Sequence, residues 1–206
     1  MTGKHRFLAL GDSYTIGERV AATERWPVQL AAALRQDGFA IDDPRIIART
    51  GWTTDELLSE IESASPSVER GYDLVTLLIG VNDQYRGRGV DSFRAGFERL
   101  LQLARTFARG SARLIVISIP DWSVTPFARD DPRGAPAIAR EIDEFNAVAR
   151  DMAQSAGAAV VDVTGISRRA AEDPQLLAAD ALHPSAAMYR LWVPVIQREA
   201  EKLLRA

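Results

Sequence analysis

Apolar and polar positions follow two rhythms along this chain. Short, nearly unbroken apolar runs recur at residues 6–10, 46–48, 73–79, 114–119 and 158–163. Runs of that length, closed by glycine, proline or acidic residues, predict strands covered on both faces, as in a parallel sheet. The run at 73–79, DLVTLLI, is apolar at nearly every position. Between the runs, apolar residues return at three- and four-residue spacing, which predicts helices. Trp26, Leu30, Ala33 and Leu34 mark a helix over 23–38, with Gly38 as its stop. Thr53 or Thr54 is placed to cap a second helix through Leu57, Leu58 and Ile61, with Asp55 and Glu56 in the first turn, where the helix dipole favours acids. Further helices are predicted over 92–108, 138–156, 166–171 and 185–204. Residues 121–136, rich in Pro, Asp and Arg, read as one long loop of the kind that often walls a site.

Strands therefore alternate with helices five times. That order predicts an α/β chain with a mainly parallel sheet and helices on both faces. No repeat, low-complexity tract or linker divides it, so residues 1–206 read as one domain.

Composition narrows the class. Of 206 residues, 47% are hydrophobic and 26% charged, a globular balance that argues against disorder. The net charge of -3 leaves no electrostatic footprint for nucleic acid, although Arg86 with Arg88 and Arg168 with Arg169 could form local basic patches. The chain has no cysteine, which excludes disulfides, thiolate catalysis and cysteine metal sites. The N-terminus lacks a signal-peptide pattern, and no apolar stretch approaches the ~20 residues that span a bilayer. The expected protein is soluble and cytoplasmic.

Chemistry concentrates at strand ends. Ser13 follows the first apolar run, Gly51 the second and Asn82 the third. In an open parallel sheet these carboxyl ends face one crevice. A serine nucleophile needs a base, since its hydroxyl is protonated at neutral pH. The chain has two histidines, and His5 sits ahead of the first strand, at its opposite end. His183 is the one placed for the task, and Asp180, three residues earlier, can fold back on its ring. An oxyanion needs donors, for which the Ser13 N–H, the Gly51 N–H and the Asn82 amide are candidates. Each of these residues also has a plain role: Ser13 as a cap, Gly51 and Asn82 as turn residues, His183 as the shaper of a helix start. Asp12 and Asp83 read as structural acids that hold turns. Glu18, Arg19, Tyr85 and Arg86 lie near the expected crevice as surface residues or substrate contacts, and Trp52 and Trp122 as core residues or walls of an acyl pocket.

Taken in order, these blocks resemble the GDSL, or SGNH, hydrolase superfamily. Gly11-Asp12-Ser13-Tyr14 is similar to its first block, Arg49-Thr50-Gly51-Trp52-Thr53 to the second, Gly80-Val81-Asn82-Asp83 to G-x-N-D, and Asp180-Ala181-Leu182-His183 to D-x-x-H. One departure is Tyr14, where the eponymous motif has leucine. The resemblance implies a three-layer flavodoxin-like fold and metal-free serine hydrolysis of a carboxylic ester. It implies Ser13 as nucleophile, His183 as base, Asp180 as its partner, and Ser13, Gly51 and Asn82 as oxyanion hole. The expected substrate is a small or short-acyl ester; a carbohydrate O-acetyl group, a lysophospholipid or a thioester would use the same mechanism. No cofactor is expected. A two-metal phosphoesterase would need more histidines and carboxylates than His183 with Asp12, Asn82 and Asp83 supply. The segment from Gly11 to Gly17 lacks the Lys-Ser/Thr of a phosphate loop. A non-catalytic flavodoxin-like binding module is the remaining alternative.

Overall fold

The computed structural model describes residues 4–64, 67–110 and 113–205. Its strands are β1 (Phe7–Gly11), β2 (Arg45–Ala48), β3 (Leu74–Leu78), β4 (Leu114–Ile117) and β5 (Ala159–Val161). They form one sheet in the order β2-β1-β3-β4-β5. Every neighbouring pair is parallel, with Leu10 of β1 level with Ile47 of β2 and Leu77 of β3. The three inner strands are buried along their whole length, which explains why they read as nearly unbroken apolar runs.

Two helical layers cover the sheet. On one side α2 (Trp26–Gln36) packs against α8 (Ala186–Arg205); on the other α3 (Thr54–Ser63), α5 (Val90–Phe107) and α6 (Ala135–Ser155) lie side by side. This is the expected three-layer α/β/α arrangement with flavodoxin-like strand order. Trp26, Trp192 and Tyr189 fill the first interface, and Phe93 and Phe97 the second, all fully buried. Phe93 stacks on Phe145 with centroids 4.7 Å apart, which ties α5 to α6. No helix among the described residues is long and apolar enough to cross a membrane.

Several boundaries differ from the sequence expectation for local reasons. The helix expected from residue 23 begins at Trp26, because Pro27 occupies its first turn and a 3-10 turn, Ala22–Glu24, precedes it. The predicted long loop at 121–136 holds two 3-10 turns, Trp122–Val124 and Pro126–Asp130, before α6 starts at Ala135. The short helix expected at 166–171 is α7 (Thr164–Ser167) continued by the 3-10 turn Arg168–Ala171. Two short helices were not foreseen: α1 (Ser13–Ile16) directly after β1, and α4 (Val81–Tyr85) directly after β3. Both are too brief to show a helical period, and both bear on the site.

Candidate active site

The sheet order reverses at β1, whose neighbours β2 and β3 leave in opposite directions. A crevice opens beyond the carboxyl ends at such a switch point. Ser13, Gly51 and Asn82 follow the three strands that meet there.

The first strand is stopped by close packing. A Cβ on Gly11 would sit 2.2 Å from Thr15 Oγ1 and 2.4 Å from the Leu78 carbonyl, so only glycine fits. Asp12 then caps α1: its carboxylate accepts the Tyr14 N–H at 3.0 Å. That matches the turn-holding role expected of it. Ser13 becomes the first residue of the helix, 4% exposed.

Asp12 is fully buried, and its Oδ2 has no hydrogen-bond partner among the described residues. Burial pushes its pKa up to about 8, only partly offset by the Tyr14 N–H, with nearby Asp83 adding to the rise. Between the ordinary carboxylate range and pH 8 the folded chain therefore holds a proton that the unfolded chain has lost. Stability must fall as pH rises through that interval. Asp12→Asn, which keeps the acceptor and removes the ionisation, should flatten this slope. Urea unfolding at pH 5 and pH 8 should show the variant gaining on wild type by about 2 kcal/mol or more across the interval. Equal slopes in both proteins would rule this account out.

The second strand leads into a loop gripped by α4. Gly51 has φ +85, a backbone conformation that other residues rarely adopt. The Asn82 amide donates to the Trp52 carbonyl at 2.9 Å, and Arg86 donates to the Gly51 carbonyl at 2.6 Å and to Glu56 at 3.1 Å. Glu56 closes a capping box by accepting the Thr53 N–H at 2.8 Å. Asp83 accepts from both the N–H and the hydroxyl of Thr54 at 2.9 Å. Burial raises the Asp83 pKa, against the lowering effect of Thr54 and Arg88. Asp83 is thus a structural acid, as expected, and it anchors α3 to α4. Neither the Ser13 nor the Gly51 N–H has a protein acceptor among the described residues. Asn82 keeps one amide hydrogen unused.

His183 and Asp180 come from the loop before α8. His183 Nδ1 lies 2.7 Å from Asp180 Oδ2. The other carboxylate oxygen accepts the N–H groups of Leu182 at 3.1 Å and His183 at 3.0 Å. Ala181, with φ +57, makes the turn that folds the carboxylate back. Burial alone would raise the Asp180 pKa, but the bonds from His183 and from the two backbone N–H groups outweigh it and hold the acid below its ordinary value. An ionised carboxylate only accepts, so this contact favours the tautomer with the imidazole hydrogen on Nδ1 and the lone pair on Nε2. Tyr14, the departure from the family motif, packs its ring against His183 at 5.8 Å, and its carbonyl accepts the Tyr189 hydroxyl at 3.1 Å. Tyr14 thus packs between His183 and α8.

Ser13, Gly51, Asn82 and His183 line one cavity of about 180 Å³, with Asp180 behind the imidazole. Ser13 and His183 face this space without being hydrogen bonded to each other; catalytic bonds often close only when substrate arrives. A larger cavity of about 380 Å³ lies between α5 and α6 and contains no histidine. His5 is at the opposite end of β1, bridged to Ile41. Of the two tryptophans considered for an acyl pocket, Trp122 lines the Ser13 cavity and Trp52 does not: Trp52 lies in a groove along β2 with Ile46 and Ala48. Phe127, which also lines the Ser13 cavity, escaped the sequence reading; its only signal was an aromatic residue in a polar loop. Arg86, Arg88 and Arg168, considered as basic patches, are paired with Glu56, Asp55 and Asp121 respectively. Glu18 accepts the Thr50 hydroxyl at the rim, and Arg19 lies 3.7 Å from Asp180. Among the described residues no group of three or more His, Asp or Glu side chains is arranged to hold a metal.

A family model described as GDSL-like lipase/acylhydrolase matches residues 9–191, and the chain belongs to that family, a class of carboxylic ester hydrolases. Solved structures share the fold. An acetylxylan esterase from Geobacillus stearothermophilus superposes with a TM-score of 0.70 at 19% identity, covering 96% of this chain and 95% of its own. The protein TesA gives 0.71 at 20% identity, covering 97% of this chain and all 100% of its own. The psychrotrophic esterase EstA from Pseudoalteromonas sp., solved with monoethylphosphonate as inhibitor, gives 0.71 at 19% identity, covering 98% of this chain and 100% of its own. No curated protein matches the sequence.

Proposed function

We propose that residues 1–206 form one catalytic domain that hydrolyses a small or short-acyl carboxylic ester through an acyl-enzyme on Ser13. The observation that carries this reading is the shared cavity at the switch point, with Ser13, Gly51, Asn82 and His183 on its wall and Asp180 held on Nδ1 at 2.7 Å. At about 180 Å³ the cavity is smaller than the ~300–1,000 Å³ usual for drug-sized ligands, which favours a short acyl group.

In this reading His183 Nε2 takes the Ser13 proton as Oγ attacks the ester carbonyl. The oxyanion receives the Ser13 and Gly51 N–H groups and the free Asn82 amide hydrogen. His183 returns the proton to the leaving alcohol, and the acyl group stays on Ser13. Water, deprotonated by His183, then releases the acid. No metal or cofactor takes part.

The test is covalent. A fluorophosphonate should label the protein at Ser13, read by peptide mass spectrometry, and p-nitrophenyl butyrate should be turned over. Labelling elsewhere, with no ester turned over, would defeat the proposal. Asn82→Ala removes one oxyanion donor and should lower kcat by ~10²–10³-fold. Because Asn82 also donates to the Trp52 carbonyl, thermal unfolding of Asn82→Ala provides the second measurement: an unchanged Tm beside the fall in kcat assigns the loss to the missing oxyanion donor. A kcat within about twofold of wild type would remove Asn82 from the hole.

A further inference from the structure

Among the described residues the exposed large hydrophobic side chains are Tyr85 and Phe127, 47% and 45% exposed. Single exposed apolar residues are common, but these two are adjacent and line the same cavity as Ser13. With buried Trp122 they form a three-ring wall: centroids are 5.6 Å apart for Tyr85 and Trp122, 6.1 Å for Tyr85 and Phe127, and 6.0 Å for Trp122 and Phe127.

The wall is held from behind. The Trp122 indole N–H donates to Gln84 Oε1 at 2.9 Å, and the Gln84 amide donates to Glu141 at 2.6 Å. Arg133 lies over the Trp122 ring at 5.5 Å and bonds Asp131, Glu141 and the Gln84 carbonyl. Its charge is thereby matched by two carboxylates, so the wall presents ring surface rather than a free cation. A surface fixed before binding avoids the ordering cost that a mobile one would incur.

Direction follows by elimination, and rests on the esterase reading above. The attacked carbon has three other substituents in the tetrahedral state. Its oxygen goes to Gly51 and Asn82, and its leaving oxygen must reach His183, which comes from the α8 side of the sheet. The third, the acyl group, is left with the wall built by α4 and the turns after β4. We propose that Tyr85, Trp122 and Phe127 form an acyl site selective for a flat, apolar acyl group of the benzoyl class over acetyl. An added ring would meet the wall at the edge-to-face or offset spacings that aromatic groups prefer.

The experiment compares kcat/KM for p-nitrophenyl acetate, butyrate and benzoate, each divided by its hydroxide-catalysed rate to remove intrinsic reactivity. Wild type should favour benzoate over acetate by about tenfold or more. Phe127→Ala should lower the benzoate-to-acetate ratio by about tenfold, and Phe127→Tyr, which keeps the ring, should retain it. The half-exposed position of Phe127 lets both variants fold, which circular dichroism would check. A wild-type ratio of one or below, or a ratio unmoved in Phe127→Ala, overturns the acyl site while leaving the serine mechanism standing. Failure to hydrolyse any of the three esters, together with no fluorophosphonate label on Ser13, overturns both.

Discussion

Ser13→Ala is expected to lower kcat on any accepted ester by a factor on the order of 10⁴–10⁶. In the proposed mechanism this hydroxyl carries the acyl group, and the nearby threonines do not stand in for it. The neighbouring Thr50 hydroxyl is bound to Glu18, and Thr15 is buried under Gly11. The backbone N–H of residue 13 survives the substitution, as do Gly51 and Asn82, so binding and oxyanion stabilisation would leave a residue of activity above water. The variant should fold like wild type, because the Ser13 side chain has no hydrogen-bonding partner among the described residues to lose. Initial rates on p-nitrophenyl butyrate, measured beside fluorophosphonate labelling, decide the matter. A variant within tenfold of wild type would mean that another nucleophile operates.

Asp180→Asn is the second large effect, with an expected loss of about 10⁴ in kcat. The reason lies in how the carboxylate is pinned. One oxygen accepts two backbone N–H groups, so asparagine must place its carbonyl there and turn its NH₂ toward His183 Nδ1. The imidazole must then accept at Nδ1 and carry its hydrogen on Nε2, where Ser13 needs a lone pair. Fold should persist while turnover disappears, and kcat against pH, with thermal unfolding as a control, would show it. A loss below tenfold would assign Asp180 to loop structure alone. In wild type, Asp180 is held below the ordinary carboxylate range, so it is ionised at neutral pH. Its contribution to stability is present above about pH 4 and is lost as pH falls through its lowered value.

The strands were legible because a strand buried on both faces is apolar at nearly every position, as 73–79 and 114–119 are despite Thr76 and Ser118. The long helices were legible because each has one apolar stripe. The pieces that position the chemistry were less so. Helices α1 and α4 span four and five residues, less than two turns, and leave no period to read. Arg86 looked like solvated surface. It is exposed, yet its guanidinium holds the Gly51 carbonyl, a contact between residues separated by 35 positions. Trp52 and Trp122 were indistinguishable on paper. Which one faces Ser13 depends on where each loop turns after its strand, and Trp52 turned toward the β2 edge.

The sequence by itself determined the alternating elements, the nearly all-apolar central strands, and the four ordered blocks that contain Ser13, Gly51, Asn82, Asp180 and His183. These are local properties: period, turn chemistry and spacing along the chain. The Asp180–His183 pair was also local, since one turn at Ala181 brings the two together. Only the tertiary structure decided that Tyr85, Trp122 and Phe127 share a wall, that Arg86 and Asn82 grip the Gly51 loop, and that Asp12 is buried deeply enough to keep its proton at neutral pH. Those outcomes depend on how a right-handed parallel sheet sets different strand ends beside one another, and on how much water its packing excludes. Neither is written in any one stretch of the chain.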